Sequence, residues 1–273
     1  MEVVAMIPEP DHSSLRSIFD EAAELYDQAR PGYPTALFDD LAGLACCGPG
    51  CRVLEIGCGT GQASVPLAAR GGALVCVELG SSMAAVARRN LAPFPAAQVV
   101  TAAFEDWPLP PEPFDLVLSA TAFHWLDPAV RVVKSADALR PGGALATIAT
   151  YHVAGGTAAF FDEVQVCYER WDPATPPGFR QPAASTIPYD SEEVDRSGRF
   201  GPTQFRRYEW DRAYSTASYL DLLLTYSNHR ALAPAARQGL LACIAELIDA
   251  RYGGHIVKHY LTELRVAHRR ASD

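Results

Sequence analysis

Short apolar runs alternate with amphipathic stretches through the first 150 positions. Cys51–Ile56, Ala73–Val77, Gln98–Thr101, Phe114–Ser119 and Ala144–Ala149 are compact aliphatic runs of the kind buried within a parallel sheet. The segments between them carry helical spacing. Ala63–Ala68 is one, Ala84–Asn90 with Ser81 or Ser82 as N-cap is a second, and Pro128–Ala138 behind Asp127 is a third. Strands alternating with helices predict an α/β chain. Ahead of the first strand, Phe19, Ala22, Ala23 and Tyr26 suggest a short helix that stops before Pro31. Leu37, Phe38, Leu41 and Leu44 suggest a second, ending near Gly48-Pro49-Gly50.

The pattern changes after position 150. Residues 155–168 read as a helix, with Phe160, Phe161, Val164 and Tyr168 on one side. From Trp171 to Pro202 no clean period survives, and a stretch this long reads as a cap or lid. Phe205–Trp210 predicts a strand, Ser215–Tyr226 a helix, Ala235–Tyr252 an amphipathic helix stopped by Gly253-Gly254, and Ile256–Ala267 a last strand.

Composition narrows the class. The 273 residues are 49% hydrophobic and 20% charged, a globular balance with room for one large core or a core with an inserted cap. A formal net charge of −9 offers no electrostatic case for nucleic acid or an anionic membrane as partner. The seven cysteines lack zinc-ligand spacing, and no secretory or membrane-spanning run is legible. They read as buried thiols of a cytoplasmic protein, with no metal expected.

The chemistry concentrates where the first strand breaks into glycines. Glu55-Ile56-Gly57-Cys58-Gly59-Thr60-Gly61 is an acidic residue followed by G-x-G-x-G. A dinucleotide loop would need its third glycine at position 62, which is Gln62, and a P-loop would need a nearby lysine. The second strand also ends in an acid, Glu78, at the distance where a carboxylate can meet a ribose diol. Together with the Leu139-Arg140-Pro141-Gly142-Gly143 turn and the leader Tyr26-Asp27-x-x-Arg30-Pro31-x-Tyr33-Pro34, this resembles the class I S-adenosylmethionine-dependent methyltransferases. The similarity is greatest to a small-molecule branch that includes those acting on trans-aconitate.

The resemblance implies a Rossmann-like, seven-stranded, mostly parallel sheet with helices on both faces and a helical cap near the C-terminal part. It divides the chain into a lid and covering helices (1–50), an S-adenosylmethionine-binding core (51–150), and a cap or substrate region with the last two strands (151–273). Glu55, Gly57, Cys58, Gly59 and Gly61 would receive the aminoacyl end of the cofactor and Glu78 its ribose. Met83, Ala103, Phe104 and Glu105 would surround adenine, Leu79 would also contact the cofactor, and Ser119 and Ala120 would meet it through backbone. His124 would stand at the acceptor mouth as the candidate base, with Tyr26, Arg30, Trp125, Tyr151 and His152 binding the acceptor. Arg207, Thr225, Ser227 and His229 are further cavity candidates.

The implied activity is methyl transfer to a small molecule at oxygen, nitrogen or carboxylate, releasing S-adenosylhomocysteine, by a monomer or homodimer. Two alternatives stay open, an NAD-dependent oxidoreductase and a non-catalytic regulator that binds S-adenosylmethionine.

Overall fold

A computed structural model describes residues 20–45 and 47–271, so Phe19 of the leader helix and Cys46 lie outside the described residues. Strands β1 (Arg52–Ile56), β2 (Ala73–Glu78), β3 (Ala97–Thr101), β4 (Phe114–Ala120), β5 (Leu139–His152), β6 (Gln204–Ser215) and β7 (His255–His268) form one sheet. Their order is β3-β2-β1-β4-β5-β7-β6. The β3-to-β5 portion is parallel, with Leu54 opposite Val75 on one side and Val117 on the other. Near the start of β5, Gly142 donates to the Arg269 carbonyl and Arg269 to the Gly143 carbonyl, which runs the end of β7 antiparallel to β5.

Two compact units divide the chain. The glycine-loop unit comprises residues 31–151, 188–208 and 261 onward, and the helical unit comprises the residues up to Arg30, 152–187 and 209–260. β6 and β7 each contribute to both.

In the glycine-loop unit, strand alternation sorts the core into two faces. Val53, Leu116, Leu118, Ala144 and Ala146 pack with α2 (Thr35–Leu44), α3 (Ser64–Ala69) and α4 (Ser81–Leu91) through Leu37, Phe38, Leu67 and Leu91. Leu54, Ile56, Val117 and Leu145 pack on the opposite side with α5 (Arg131–Ala138) through Val132 and Ala136. A strand buried on both faces has no polar alternate positions, which is why these runs are continuously apolar.

The helical unit gathers α1 (Ala23–Ala29), α6 (Ala158–Glu163), α7 (Gln165–Trp171), α9 (Thr216–Leu223), α10 (Ser227–Ala231) and α11 (Pro234–Tyr252). Within it Phe160, Phe161, Leu222, Leu240, Ile244, Ile248, Ile256 and Tyr260 share a core. Pro234 opens α11, and Gly253 closes it in the left-handed region at φ 62°. A one-turn helix, α8 (Glu192–Arg196), belongs to the glycine-loop unit.

Several local expectations change. The 155–168 helix divides in two, and the Gln165 amide donates to the Phe161 carbonyl at 2.9 Å, taking an acceptor that a continuous helix would use. Gly80, rather than Ser81 or Ser82, is the N-cap of α4. The Leu-Arg-Pro-Gly-Gly segment lies inside β5 as an irregularity, where the register slips between Phe114 and Leu116. Gly142 takes φ 74° there, and a Cβ on Gly143 would sit 3.0 Å from both the Arg140 and Asp115 carbonyls. Residues 172–203 are mostly irregular, holding a short 3-10 turn and α8.

The cysteines depart from the expectation of free thiols. Cys47 pairs with Cys51 and Cys167 with Cys243, at Cα separations of 5.4 and 5.8 Å, leaving Cys58 and Cys76 free and buried. Cys167 on α7 and Cys243 on α11 lie 76 positions apart in sequence, so that pairing rests on the packing of α7 against α11. No described helix is long and apolar enough to cross a membrane.

Candidate functional site

The parallel ladder aligns the C-terminal ends of β1, β2 and β4 along one edge, the edge at which open α/β sheets receive ligands. β1 passes there into three glycines at positive φ, Gly57 (68°), Gly59 (58°) and Gly61 (102°). Gly57 donates to the Val77 carbonyl at 2.8 Å, and a Cβ on it would lie 2.6 Å from that of Ala122. Only glycine satisfies both the dihedral and the space. The loop is braced from below, where Asn90 of α4 donates to the Thr60 carbonyl at 2.9 Å and Gln62 to the Thr60 hydroxyl at 2.6 Å.

Glu78 holds this loop directly. One carboxylate oxygen accepts the Gly59 N–H and the other the Gly80 N–H, both at 2.9 Å. Glu55 is 1% exposed and accepts from the Ser64 hydroxyl at 2.6 Å. Burial pushes its carboxyl up to about 8, the Ser64 bond opposes the rise, and the Glu78 charge adds to it. The Cys58 thiol is also driven upward, first by its bond with Cys76 and then by burial, so it is a neutral packing group.

Leu79 is exposed, while Met83 is buried on α4. Ala103, Phe104 and Glu105 follow β3 in a tight turn. The Phe104 ring is in the core, so only its backbone faces outward chemistry, and the Glu105 carboxylate accepts the Asp127 N–H at 3.2 Å. Buried Ser119 donates to the Ile56 carbonyl at 3.0 Å, tying β4 to β1, and Ala120 is half-buried at the strand end.

Thr121 comes next, at φ 54°, a conformation that costs a β-branched residue on the order of 1–3 kcal/mol. It is held by its N–H to the Ile148 carbonyl at 2.7 Å and its hydroxyl to Tyr33 at 2.6 Å. Strain beside the glycine loop is a feature that no sequence spacing reveals. His124 and Trp125 form a short 3-10 turn just beyond, the His124 side chain exposed and the rings 4.9 Å apart.

Tyr151 also belongs to this unit. Its hydroxyl accepts from Arg265 at 2.7 Å, and Arg265 donates in turn to Glu263, which is fully buried. Arg207 donates to the other Glu263 oxygen at 2.6 Å and stacks over Tyr189. Arg207 is thereby a structural ion-pair partner.

The remaining candidates lie in the helical unit. Arg30 donates to the hydroxyl and carbonyl of Thr225 at 2.8 and 3.1 Å, between the rings of Tyr26 and Tyr226 at 5.0 and 4.3 Å. His152 shares a 3.2 Å bond with the Tyr226 hydroxyl, and His229 shares a 3.0 Å bond with Tyr168. Burial lowers the His152 imidazole well below its usual range, with Lys258 and Arg30 adding to the effect.

Lys258 escaped the sequence reading. It is 3% exposed, on β7 in phase with buried Ile256 and Tyr260, and burial alone brings its amine down to about 7. A lysine at an inward position of an alternating strand was the available signal. Among the described residues no group of His, Cys, Asp and Glu could hold a metal ion.

Residues 54–147 match the family described as a methyltransferase domain. An uncharacterized methyltransferase of Mycobacterium tuberculosis is 36% identical over 130 residues, covering 48% of this chain and 51% of that protein. The chain thus spans about half the length of the curated relatives it matches. A candidate type II methyltransferase from Anaeromyxobacter dehalogenans superposes with TM-score 0.59 at 24% identity, over 89% of this chain and 99% of that one. Phosphoethanolamine N-methyltransferase 2 of Haemonchus contortus, solved with phosphomonomethylethanolamine and S-adenosylhomocysteine, gives TM-score 0.52 at 16% identity, over 92% of this chain and 58% of that one.

Proposed function

We propose that residues 54–147, which match a family described as a methyltransferase domain, form a class I S-adenosylmethionine-dependent core, and that the chain methylates a small-molecule acceptor at oxygen, nitrogen or carboxylate. Glu55 carries the reading. It is a buried carboxyl under a positive-φ glycine loop, and its neighbours are a hydroxyl and a second acid rather than a cation. An aminoacyl ammonium provides the missing positive charge, so the residues fit the cofactor.

The backbone of Gly57, Cys58, Gly59 and Gly61 would hold the carboxylate end of the cofactor, and Glu78 the ribose hydroxyls. Met83, Ala103, Phe104 and Glu105 would surround adenine, Leu79 would also contact the cofactor, and Ser119 and Ala120 would contribute backbone. Bound there, S-adenosylmethionine supplies an activated methyl group on a sulfonium. The chain's own contribution is alignment and dryness. Trp125 would wall the acceptor from water. His124 would take the proton from a hydroxyl acceptor, whereas a carboxylate needs no base.

Tyr26, Arg30, Tyr151 and His152 would bind the acceptor. An organic acid of the trans-aconitate kind is the first class to test, with Arg30 rather than the ion-paired Arg207 as guanidinium. Calorimetry with S-adenosylhomocysteine and with NAD, followed by a release assay on a small-molecule panel, tests the proposal. Cofactor binding with turnover is expected; NAD binding without S-adenosylhomocysteine binding overturns it.

A further inference from the structure

We infer that Lys258 anchors a carboxylate-binding site in the helical unit, and that its ligand is a small organic acid with an apolar or aromatic body. The inference rests on the methyl-transfer reading only in taking that acid to be the acceptor.

A buried ammonium is normally neutralised by a carboxylate or fixed by several hydrogen-bond acceptors. Among the described residues Lys258 has neither. Its amine lies over the Phe161 ring, 4.9 Å from the centroid, and 5.6 Å from that of Tyr260. These ring faces give partial compensation only.

The surroundings add positive charge. Arg30, which caps the C-terminus of α1, acts together with Lys258 on both His152, at the end of β5, and His229 on α10. His229 is neutral near pH 7, its imidazole lowered to about 4 chiefly by burial, and Asp172, after α7, is the carboxylate that acts on it. His152 keeps exposed surface at the end of β5.

The walls of this region are rings. Tyr226 and Tyr260 stand 5.5 and 5.7 Å from His152, and Tyr26 flanks Arg30. The Tyr226 hydroxyl, raised to about 12 mainly by burial, remains a donor at neutral pH. Two cations, protonated phenols and aromatic faces suit an anion carried on an apolar body.

A hydrophobic side chain of lysine's length would fill the position without the burden of a buried amine. Retaining lysine makes sense if a ligand brings the counter-charge. Carboxylate binding then favours the ammonium form, so the complex takes up a proton above pH 7.

Calorimetry on the full chain with short aliphatic and aromatic carboxylates, each beside its neutral amide, tests the site. The acid is expected to bind at least tenfold more tightly than its amide. Its affinity is expected to fall up to tenfold per pH unit above 7, with proton uptake visible in buffers of different ionisation enthalpy. Lys258→Met is expected to lose at least tenfold in acid affinity and the proton uptake, while keeping S-adenosylhomocysteine affinity and a thermal midpoint no lower than the parent. Equal binding of acid and amide, unchanged acid affinity in folded Lys258→Met, or no carboxylate binding by a chain that binds S-adenosylhomocysteine overturns the inference. Failure of S-adenosylhomocysteine to bind overturns the methyl-transfer reading instead, and leaves the carboxylate result standing by itself.

Discussion

Each of the two units buries an ionisable group with no opposite charge paired to it among the described residues, and the two groups have opposite signs. Glu55 in the glycine-loop unit is an acid pushed up to about 8, and Lys258 in the helical unit is a base brought down to about 7. Both shifts come first from desolvation, and both leave the group close to a protonation boundary at neutral pH. A protein that only had to be stable would replace such residues by apolar ones of similar volume. The pair teaches that each unit keeps a costly buried side chain, which on the proposed reading an ammonium would compensate in one and a carboxylate in the other.

The sharpest break in that comparison comes from Gly57→Val. The added side chain meets Ala122 and must adopt φ near 68°, costing on the order of 3 kcal/mol. S-adenosylhomocysteine affinity is expected to drop by about a hundredfold or more in calorimetry. Carboxylate binding in the helical unit stays intact if the units respond separately.

The pH profile of thermal stability has the next largest effect. Because the folded Glu55 pKa is raised, its stabilising contribution is full below the unfolded value near 4.5 and is lost as pH rises through about 8. Because the folded Lys258 pKa is lowered, its penalty is full below about 7 and is relieved as pH rises toward 10.5. Glu55→Gln is expected to flatten the acidic-to-neutral fall, and Lys258→Met the neutral-to-basic rise, each by on the order of 2 kcal/mol. Parallel profiles for the parent and both variants would remove the basis of the comparison.

Glu78→Ala has the smallest expected effect, a loss of at least about tenfold, or roughly 1.4 kcal/mol, in cofactor affinity. Unchanged affinity in a folded variant would reassign Glu78 from the ribose to the loop alone.

The units also differ in how much of them is readable from the chain. Glu55, Gly57, Gly59 and Glu78 are legible because strand, turn and helix follow one another, so each lies in a local window with its context. Thr121 is opaque, since its strained backbone is imposed by Ile148 and Tyr33, which are distant in sequence. The helical unit gathers three separated segments, so Arg30 meets Thr225 and Phe161 meets Lys258 without any spacing that announces it. The disulfide from Cys167 to Cys243 was hidden for the same reason.

The double grip of Glu78 on Gly59 and Gly80 has a kinetic consequence. A glycine-rich segment is ordinarily floppy, and a guest that must first tame it forfeits part of its contact energy to lost chain entropy. On the proposed reading, the Glu78 carboxylate would hold the cradle in place ahead of the ribose. Capture can therefore proceed as docking onto a standing shape, with partner exchange at a single side chain as its adjustment, rather than as a slow folding of the loop around its visitor.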